Sequence, residues 1–409
     1  MSNWGKVTLN ECCEIIGDGL HGTPDFCESG DYFFINGNNL NNGRILINNN
    51  TKKCDINEFY KYKKNINKST IFLSINGTLG NLAKYNNEKI ILGKSACYLN
   101  IKKEIDFNFV FYVLLNEDFQ HYIKEFATGT TIKNVRLQTI RTYQFNLPPL
   151  EEQKAIAGVL SSFDDKIELN NKIIKNLEEQ AQTLYKHWFV DFEFPNENGQ
   201  PYKSSGGTFK DSELGKIPTD WEVSLLKKFL LFQKGFEPGN KTYLENQNLD
   251  NIPFYRVGEL LSNPKIFINK NLNPNVCIAN IKDVLVSFDG TVGRVSIAKR
   301  GAFSSGIRKI VSKVNSINNA FIYVLFKSDY IQNEMKKYES NRTTITHASG
   351  AINDFLIAYS SNIYLKFSII IDPLYNELIQ LKLENEKLAE MRDYLLPKLM
   401  SGKIRVKVD

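Results

Sequence analysis

The sequence predicts an α+β fold class, with two β-rich domains and two long helices that pack against each other within one chain. Two stretches with apolar residues at alternating four- and three-residue spacing predict the long helices. Each stretch follows a segment that mixes short β-rich runs with turns, and the two segments share sequence. The order domain, helix, domain, helix therefore predicts an internal repeat.

The first long helix is predicted over residues 147–190. Pro148 and Pro149 suit a first helical turn, where a missing N–H loses no hydrogen bond, and Glu151 and Glu152 follow where the helix dipole favours anions. A helix of about 40 residues is about 60 Å long, which is more than a compact domain needs, so its apolar seam requires a partner. This first seam consists of Ile156, Leu160, Phe163, Ile167, Asn170, Ile174, Leu177, Ala181, Leu184 and Trp188.

The second long helix is predicted to open at Asp372 and Pro373 and to stop at Gly402. On this prediction the first helix carries nearly two additional heptads at its start. Burying the two seams against each other gains about 1.5–3 kcal/mol per large apolar side chain, before the chain entropy is subtracted. The second seam consists of Leu374, Leu378, Leu381, Asn385, Leu388, Arg392, Leu395 and Leu399.

Three polar residues in the seams are each open to two interpretations. Asn170 and Asn385 either fix the register of the helix pair, at a cost in stability, or face solvent beside the seam. Arg392 either pairs across the coil with Glu178 or Glu179, or extends its charged end into solvent.

The sequence similarity between the two β-rich segments is clearest in one loop motif. Residues 70–81, TIFLSINGTLGN, align with residues 283–294, DVLVSFDGTVGR. The aligned pairs are Ser74 with Ser287, Gly77 with Gly290, Thr78 with Thr291, Gly80 with Gly293, and Val113-Leu114 with Val324-Leu325. The predicted division is 1–146 for domain 1, 147–190 for the first long helix, 191–220 for a linker, 221–371 for domain 2 and 372–409 for the second long helix.

Both β-rich domains contain the same predicted kinds of element. Runs of β-branched and aromatic residues bounded by turn residues predict strands, and longer amphipathic runs predict one helix in each domain. The predicted strands are 32–35, 71–75, 90–92, 252–257, 284–288 and 308–311, and the predicted helices are 107–125 and 319–337.

The bulk composition is that of a globular protein with an ordinary core. A net charge of +6 and a pI of about 8.7 permit nucleic-acid binding without requiring it. The six cysteines form no C-x-x-C pair, which predicts no metal site and a reducing cytoplasm. The N-terminus has no signal-peptide pattern, and the apolar residues within 354–371 are too interrupted to span a bilayer, so no membrane association is expected.

The sequence contains no convincing catalytic motif. It has no G-x-x-x-x-G-K-[ST] loop and no G-x-G-x-x-G motif that opens a helix after a strand. Residues 146–150, NLPPL, differ from the N/D-P-P-aromatic motif of amino-methyltransferases by an inserted leucine and a missing aromatic residue. Glu334 and Lys336 have an E-x-K spacing without a placed aspartate partner, so a solvated charge pair is favoured and no catalytic residue is predicted.

A basic run between Lys282 and Lys313 indicates DNA binding, with a solvated surface as the alternative. Arginine and lysine suit phosphate contacts, and serine, threonine, asparagine and arginine suit base edges. The basic residues of the run are Lys282, Arg294, Lys299, Arg300, Arg308, Lys309 and Lys313.

Three stretches carry a resemblance to a known family. The long first helix and its continuation, LPPLEEQKAIAGVLSSFDDKIELNNKIIKNLEEQAQTLYKHWFVDFEFP, resemble the central conserved region of the specificity subunit of Type I restriction-modification systems. PYKSSGGTFKDSELGKIPTDWEV resembles that family's linker, and LENEKLAEMRDYLLPKLMSGKIRV resembles its distal conserved region. With the repeated segments, the resemblance extends over nearly the whole chain.

The resemblance implies a DNA-reading subunit without chemistry of its own. Each β-rich domain would be a target recognition domain that reads one half of a bipartite, asymmetric double-stranded DNA site. The two long helices would pack as an antiparallel coiled coil with pseudo-two-fold symmetry, set the distance between half-sites, and dock two modification (methyltransferase) subunits. Restriction subunits would translocate and cut DNA. S-adenosylmethionine, ATP and magnesium would be bound by these partner subunits rather than by this chain.

Candidate site residues follow from the predicted loops and seams, although a coiled-coil adaptor with two protein-binding domains and a self-contained restriction-modification enzyme remain as alternatives. The candidate DNA-binding residues are Asn76, Thr78, Lys94, Lys133, Arg256, Arg294, Arg308 and Arg342. The candidate coiled-coil and partner-docking residues are Ile156, Leu160, Phe163, Ile167, Asn170, Ile174, Leu177, Leu184, Leu378, Asn385, Leu388 and Leu395.

Overall fold

The computed structural model describes residues 4–245, 248, 250–272, 277–337 and 348–407. The chain divides into two compact units. Unit 1 comprises Met1–Ile167 and Lys387–Asp409, and unit 2 comprises Glu168–Glu386. No helix in these described residues has the length and apolarity needed to cross a membrane.

Unit 1 contains short strands and helices before the first long helix begins. In chain order its elements are β1 (Gly5–Thr8), α1 (Leu9–Cys12), β2 (Cys13–Asp18), β3 (Tyr32–Ile35), β4 (Leu40–Asn41), β5 (Arg44–Ile45), β6 (Lys53–Cys54), α2 (Ile56–Tyr62), β7 (Thr70–Ser74), β8 (Leu82–Lys84), β9 (Ile90–Leu92), β10 (Ala96–Ile101), α3 (Phe107–Leu115), α4 (Glu117–Glu125), α5 (Leu137–Arg141) and β11 (Gln144–Leu147). The long helix α6 (Leu150–Phe189) then runs from unit 1 into unit 2.

The sheets of unit 1 are small and mostly antiparallel. One has the strand order β2-β10-β7-β8, another has the order β6-β3-β9 with β3 parallel to β9, and β1 pairs with β11. Every residue of β7 and β10 is buried, as expected for strands that are covered on both faces. Helix α3 packs into the same apolar core, which places it beside the central sheet.

Unit 2 repeats this arrangement. In chain order its elements are β12 (Phe209–Ser212), β13 (Gly215–Pro218), β14 (Glu222–Leu225), β15 (Leu230–Lys234), β16 (Asn251–Tyr255), β17 (Phe267–Asn269), β18 (Ile278–Ala279), β19 (Val284–Ser287), β20 (Val295–Ser296), β21 (Gly301–Phe303), β22 (Ile307–Ser312), α7 (Asn319–Lys327), α8 (Asp329–Lys337) and β23 (Leu356–Tyr359). The second long helix, α9 (Ser361–Met400), follows and ends in unit 1.

The strand orders confirm the predicted internal repeat. The order β15-β22-β19-β20 in unit 2 corresponds to β2-β10-β7-β8 in unit 1. The parallel pair β16 and β21 corresponds to β3 and β9, and the pair β14 and β23 corresponds to β1 and β11. The predicted strands all occur within two residues of their predicted bounds.

The long helices pair through their seams, as the coiled-coil prediction requires. In unit 2, Asn170 contacts Asn385 and Trp188 contacts Phe367, so the partner number falls as the α6 number rises. This order defines an antiparallel pair. In unit 1, Ile156 of α6 and Leu399 of α9 lie in one apolar core.

The predicted start of the second long helix was wrong. Helix α9 begins at Ser361, and Pro373 lies inside it rather than in its first turn. The reason is tertiary packing. The buried residues Ile363, Phe367 and Ile371 recur at helical spacing and join the core of unit 2, which outweighs the backbone hydrogen bond that Pro373 removes. Both long helices have 40 residues, so the predicted excess of two heptads in the first helix was also wrong.

Two further element predictions need correction. The helices predicted over 107–125 and 319–337 are each two consecutive helices, which break at Asn116 and Ser328. The predicted linker, 191–220, contains the antiparallel pair β12 and β13. Phe194 from this segment stacks on Trp221 with ring centroids 5.1 Å apart, so the segment is packed into unit 2.

Candidate nucleic-acid interface

The aligned glycine motif forms a constrained loop after β7 in unit 1. Gly77 and Gly80 both have positive φ, at 76° and 87°, where residues other than glycine are strained. The Nε2 of Gln120 donates to the carbonyl oxygen of Gly80 at 3.1 Å and to that of Leu114 at 2.8 Å. A Cβ on Gly80 would lie 2.0 Å from Gln120 Oε1, so this position accepts only glycine without rearrangement.

The same loop occurs after β19 in unit 2. Gly290 and Gly293 have φ values of 73° and 82°. The Nε2 of Gln332 donates to the carbonyl oxygen of Gly293 at 3.0 Å and to that of Phe326 at 2.6 Å. The motif shared by the two halves therefore determines the backbone conformation of the loop. Its glycines are required for their positive φ values and carry no reactive group.

The two glutamines were missed in the sequence analysis. Gln120 lies 40 residues after Gly80, and Gln332 lies 39 residues after Gly293. Because each glutamine stands at nearly the same distance from an aligned glycine, extending the alignment of the two halves through the helices would have found them.

The four candidate residues of unit 1 lie on neighbouring segments. Gly77 N donates to Lys133 O at 2.9 Å, and Asn76 Nδ2 donates to Asn134 Oδ1 at 3.3 Å. The backbone N–H groups of Ile75 and Asn76 both donate to Ser95 O, next to Lys94. We call residues 75–81, 93–95 and 128–135 loop cluster 1. Within it, Thr78, Lys94 and Lys133 are exposed and Asn76 is partly buried.

Unit 2 has a corresponding cluster, which we call loop cluster 2 and which comprises residues 256–259, 288–294 and 304–306. The Nη1 of Arg294 donates to the carbonyl oxygens of Val257 and Gly258, each at 3.0 Å. Arg256 is exposed and forms an ion pair with Glu259. The structure thus brings Arg256 and Arg294 together. The side chain of Arg256 is exposed, and that of Arg294 holds the cluster through its backbone hydrogen bonds.

Arg308 differs from the other candidates because it is buried, with 6% of its surface exposed. Its guanidinium donates to Ser305 O and to Ser349 Oγ and lies over the ring of Phe288. Burial lowers the pKa of Arg308, and Asp289 opposes that shift. These contacts indicate an internal support for loop cluster 2. The last candidate, Arg342, lies outside the described residues.

The basic run between Lys282 and Lys313 does not form one exposed surface. Lys299 is 7% exposed and pairs with Glu386 at 3.1 Å. Lys309 pairs with Asp283 at 3.3 Å, and Lys313 donates to Lys227 O at 2.7 Å. Part of this charge is therefore engaged in contacts within unit 2, whereas Lys282, Arg300 and Lys313 are exposed, and DNA binding by the run stays a prediction.

The described residues offer no metal-binding group of three or more His, Cys, Asp or Glu side chains. Burial also makes Cys12 and Cys13 poor nucleophiles, since it raises the pKa of Cys12 to about 11 and that of Cys13 to about 12. A groove of about 620 Å³ in unit 1 is lined by residues that include Asn116, Tyr143 and Met400 and by none of loop cluster 1.

The candidate seam residues lie along the contact between the long helices. Asn170 is fully buried, and its Nδ2 donates to Glu384 Oε2 at 2.8 Å and to Asn385 Oδ1 at 2.9 Å. The solvent-facing interpretation was therefore wrong for Asn170. The buried members are Ile156, Leu160, Asn170, Ile174 and Leu378, and the partly buried members are Phe163, Ile167, Leu177, Leu184, Asn385, Leu388 and Leu395.

Arg392 has a different partner from either glutamate that was expected. Its Nη1 donates to Asp164 Oδ1 at 2.6 Å, and its Nη2 donates to Asp393 Oδ1 at 2.8 Å. The predicted pairing with Glu178 or Glu179 was wrong, because Asp164 is the carboxylate of α6 that faces Arg392 in unit 1. Glu178 instead accepts hydrogen bonds from Tyr323 and Lys327 in unit 2.

Comparison with known proteins gives consistent matches. The family described as "Type I restriction modification DNA specificity domain" matches residues 1–179 and 218–355. The MjaIX specificity subunit of a Type I restriction enzyme from Methanocaldococcus jannaschii is 28% identical over 94% of this chain and 86% of its own length. The HindI specificity subunit from Haemophilus influenzae is 23% identical over 99% of this chain and all of its own length.

A solved structure matches in fold. The Type-I restriction-modification system S subunit from M. genitalium superposes with a TM-score of 0.52 at 22% sequence identity, covering 97% of this chain and 96% of that chain. At this identity the similarity describes the arrangement of elements and does not extend to individual side chains.

Proposed function

This chain belongs to the Type I restriction modification DNA specificity family, and we propose that it selects a bipartite DNA target for a Type I restriction-modification complex. The family predicted from the sequence is confirmed. Membership of a DNA specificity family favours a non-catalytic recognition subunit over both the adaptor and the self-contained enzyme.

We propose that loop clusters 1 and 2 each read one half of the target. The observation that supports this most directly is a shared loop backbone that carries different side chains. Asn76 in unit 1 stands where unit 2 has Asp289, directly before the aligned glycines Gly77 and Gly290, whose φ values are nearly equal. Two similar loops with different hydrogen-bonding groups suit two different base sequences.

Across the two clusters we assign two kinds of DNA contact. Lys94, Lys133 and Arg256 are exposed cations and would contact phosphates, which set affinity and register. Asn76 and Thr78 carry the polar groups that suit base edges. Arg294 would act by holding the turn at Val257 and Gly258, and Arg308 by supporting the loop from inside.

We propose that the paired long helices set the spacer between the half-sites and dock two modification subunits. The antiparallel pairing and the equal length of α6 and α9 support this role, because they give the chain a repeated frame. S-adenosylmethionine, ATP and magnesium would belong to the modification and restriction subunits, and the complex would work in the cytoplasm on double-stranded DNA.

A binding and methylation assay with purified components tests this function. The chain is mixed with its modification subunit and with a pool of random duplexes, and methylated duplexes are sequenced. We expect enrichment of a bipartite sequence by the complex and no methylation by the chain alone with S-adenosylmethionine. Methylation by the chain alone would support the self-contained enzyme, and a complex without any DNA preference would support the adaptor.

A further inference from the structure

One carboxylate in unit 1 connects the recognition domain to both long helices. The phenol of Tyr112, on α3, is fully buried and donates to Asp164 Oδ2 of α6 at 2.6 Å. The other oxygen of Asp164 accepts from Arg392 of α9 at 2.6 Å. We call Tyr112, Asp164 and Arg392 the unit-1 clamp.

A corresponding set connects the same kinds of element in unit 2. Tyr323, on α7, is almost fully buried and donates to Glu178 Oε1 of α6. Lys327 of α7 donates to Glu178 Oε2 at 2.6 Å, and Lys382 of α9 lies 3.9 Å from Glu178 Oε1. We call Tyr323, Glu178, Lys327 and Lys382 the unit-2 clamp.

The two clamp tyrosines occupy equivalent positions in the internal repeat, but the two clamp carboxylates do not. Tyr112 and Tyr323 directly precede the aligned Val-Leu pairs of the two halves. The acids, however, are both on α6, and neither is the repeat counterpart of the other. In unit 2 the position equivalent to Asp164 is Tyr375, whose ring lies beside Tyr323 with a centroid distance of 5.7 Å. The phenol–carboxylate bond is thus present in both units although the carboxylate comes from a different position.

Each clamp is linked to its recognition loop by a short path of contacts. In unit 1, Tyr112 is two residues from Leu114. The carbonyl oxygens of Leu114 and of Gly80, in loop cluster 1, both accept a hydrogen bond from Gln120 Nε2. In unit 2, Tyr323 is three residues from Phe326. The carbonyl oxygens of Phe326 and of Gly293, in loop cluster 2, both accept a hydrogen bond from Gln332 Nε2. A displacement of α3 or α7 on the long helices would therefore be transmitted to the loop.

The hydroxyl groups are suited to a permanent structural hydrogen bond. Burial, together with the neighbouring carboxylate, raises the pKa of Tyr112 and of Tyr323 far above the ordinary value for tyrosine. Both phenols therefore stay protonated and remain donors at neutral pH. Nearby ring positions on the same helices, such as Phe109 and Phe321, pack without a hydroxyl.

We propose that Tyr112 and Tyr323 are positioning residues that fix the placement of each loop cluster on the long helices and thereby restrict the spacer length that the protein accepts. This inference rests on the proposed function and adds residues to it. Neither tyrosine touches DNA. Each acts through α6, its own helix and the glutamine that holds the glycine loop.

The test uses the full chain in complex with its modification subunits. Methylation rates are measured on the cognate target and on targets whose spacer is one base pair longer or shorter. For Tyr112→Phe and for Tyr323→Phe, we expect the ratio of cognate to altered-spacer rates to fall by about tenfold, which corresponds to the loss of roughly one hydrogen bond. The rate on the cognate target should stay within about twofold of the wild-type rate, since no base contact is removed.

Matched controls remove a tyrosine hydroxyl that does not reach the long helices. Tyr122 donates to Thr139 O at 3.1 Å in unit 1, and Tyr330 donates to Leu356 O at 2.6 Å in unit 2. Tyr122→Phe and Tyr330→Phe should leave the spacer ratio unchanged. If the clamp variants behave like these controls, or if all four variants lower the ratio equally, the positioning role is wrong.

A second variant and a second measurement separate the possible failures. Should Tyr112→Phe not fold, Asp164→Asn provides the test, with an expected fall in the spacer ratio of about threefold because the amide keeps the shape of the carboxylate but binds Arg392 more weakly. Amide hydrogen exchange of the free chain should accelerate across Phe107–Leu115 in either variant. A wild-type complex that ignores the spacer would refute the proposed function itself, whereas a spacer-sensitive wild type whose clamp variants keep the wild-type spacer ratio would refute only this inference.

Discussion

The glycine loops of loop clusters 1 and 2 have nearly the same φ values, but the two clusters differ in what their charged groups do. In loop cluster 1, Lys94 and Lys133 are exposed. In loop cluster 2, Arg294 donates to backbone carbonyls and Arg308 is buried, which leaves Arg256 at the surface. The comparison teaches that the repeat preserves the glycine loop and its glutamine, while the surrounding cations are exposed in unit 1 and mostly engaged in internal contacts in unit 2.

The largest expected effect comes from the feature that the clusters share. Gly80→Ala and Gly293→Ala should each lower the free energy of unfolding of their unit by about 2–4 kcal/mol, because both positions combine positive φ with a close glutamine oxygen. Urea unfolding measures this. Gly77→Ala is the control, because its φ is also positive but no atom lies within 4 Å of the added Cβ. If Gly80→Ala is no more harmful than Gly77→Ala, the glutamine contact does not constrain the loop.

The acid of the unit-2 clamp should make unit 2 sensitive to low pH. Burial raises the pKa of Glu178, but hydrogen bonds from Lys327 and Tyr323 outweigh burial and hold the pKa below its ordinary value. A depressed pKa contributes stability above the pKa of the unfolded chain, and that contribution is lost as the pH falls through the folded pKa. Glu178→Gln should therefore be less stable than the wild type by about 1–3 kcal/mol at neutral pH.

The difference between Glu178→Gln and the wild type should shrink as the solution is acidified. Thermal unfolding of both proteins between about pH 7 and about pH 3 measures this convergence. A constant difference in Tm across the range would show that the carboxylate charge is not what stabilises the clamp.

Asn170→Leu should raise the stability of the helix pair in unit 2. The variant replaces a fully buried amide, whose Oδ1 has no hydrogen-bond partner among the described residues, with an apolar seam residue. We expect an increase in Tm of about 2–4 °C, together with a weaker requirement for one spacer length. Asn176→Leu, at an exposed position of α6, is the control. A lower Tm with unchanged target choice would contradict the register role of Asn170.

The smallest expected effects concern the exposed lysines of loop cluster 1. Lys94→Ala and Lys133→Ala should each weaken DNA binding for all sequences and reduce the slope of log K against log salt by about 1, as expected for one phosphate contact. Lys154→Ala, at an exposed position of α6 in unit 1, should change neither quantity. Equal slopes of log K against log salt for all three variants would show that Lys94 and Lys133 do not contact DNA phosphates.

The repeat and the seams could be predicted from the sequence because both follow local patterns. The glycine motif requires positive φ, and the seam requires period-matched apolar residues, so each leaves a direct trace in the sequence. The strands Tyr32–Ile35 and Ile90–Leu92 were predicted with their observed bounds for the same reason.

The features that were missed depend on contacts between distant residues. The start of α9 at Ser361 follows from the burial of Phe367 and Ile371 in the core of unit 2. This packing outweighs the local preference of an Asp-Pro pair for a helix start. The partner of Arg392 depends on which carboxylate of α6 faces it. The burial of Arg308 could not be inferred from a basic run, because exposed and internal cations have the same sequence pattern.

Mapping methylated bases in cells that carry this protein with its modification subunits tests the central claim most directly. The wild type should modify a sequence with two specified halves and an unspecified spacer. Replacing Asn76 and Thr78 with alanine should relax one half only, and replacing the aligned residues Asp289 and Thr291 with alanine should relax only the other half. If either replacement alters both halves together, or if the modified sequence has no spacer, the two loop clusters do not read separate half-sites.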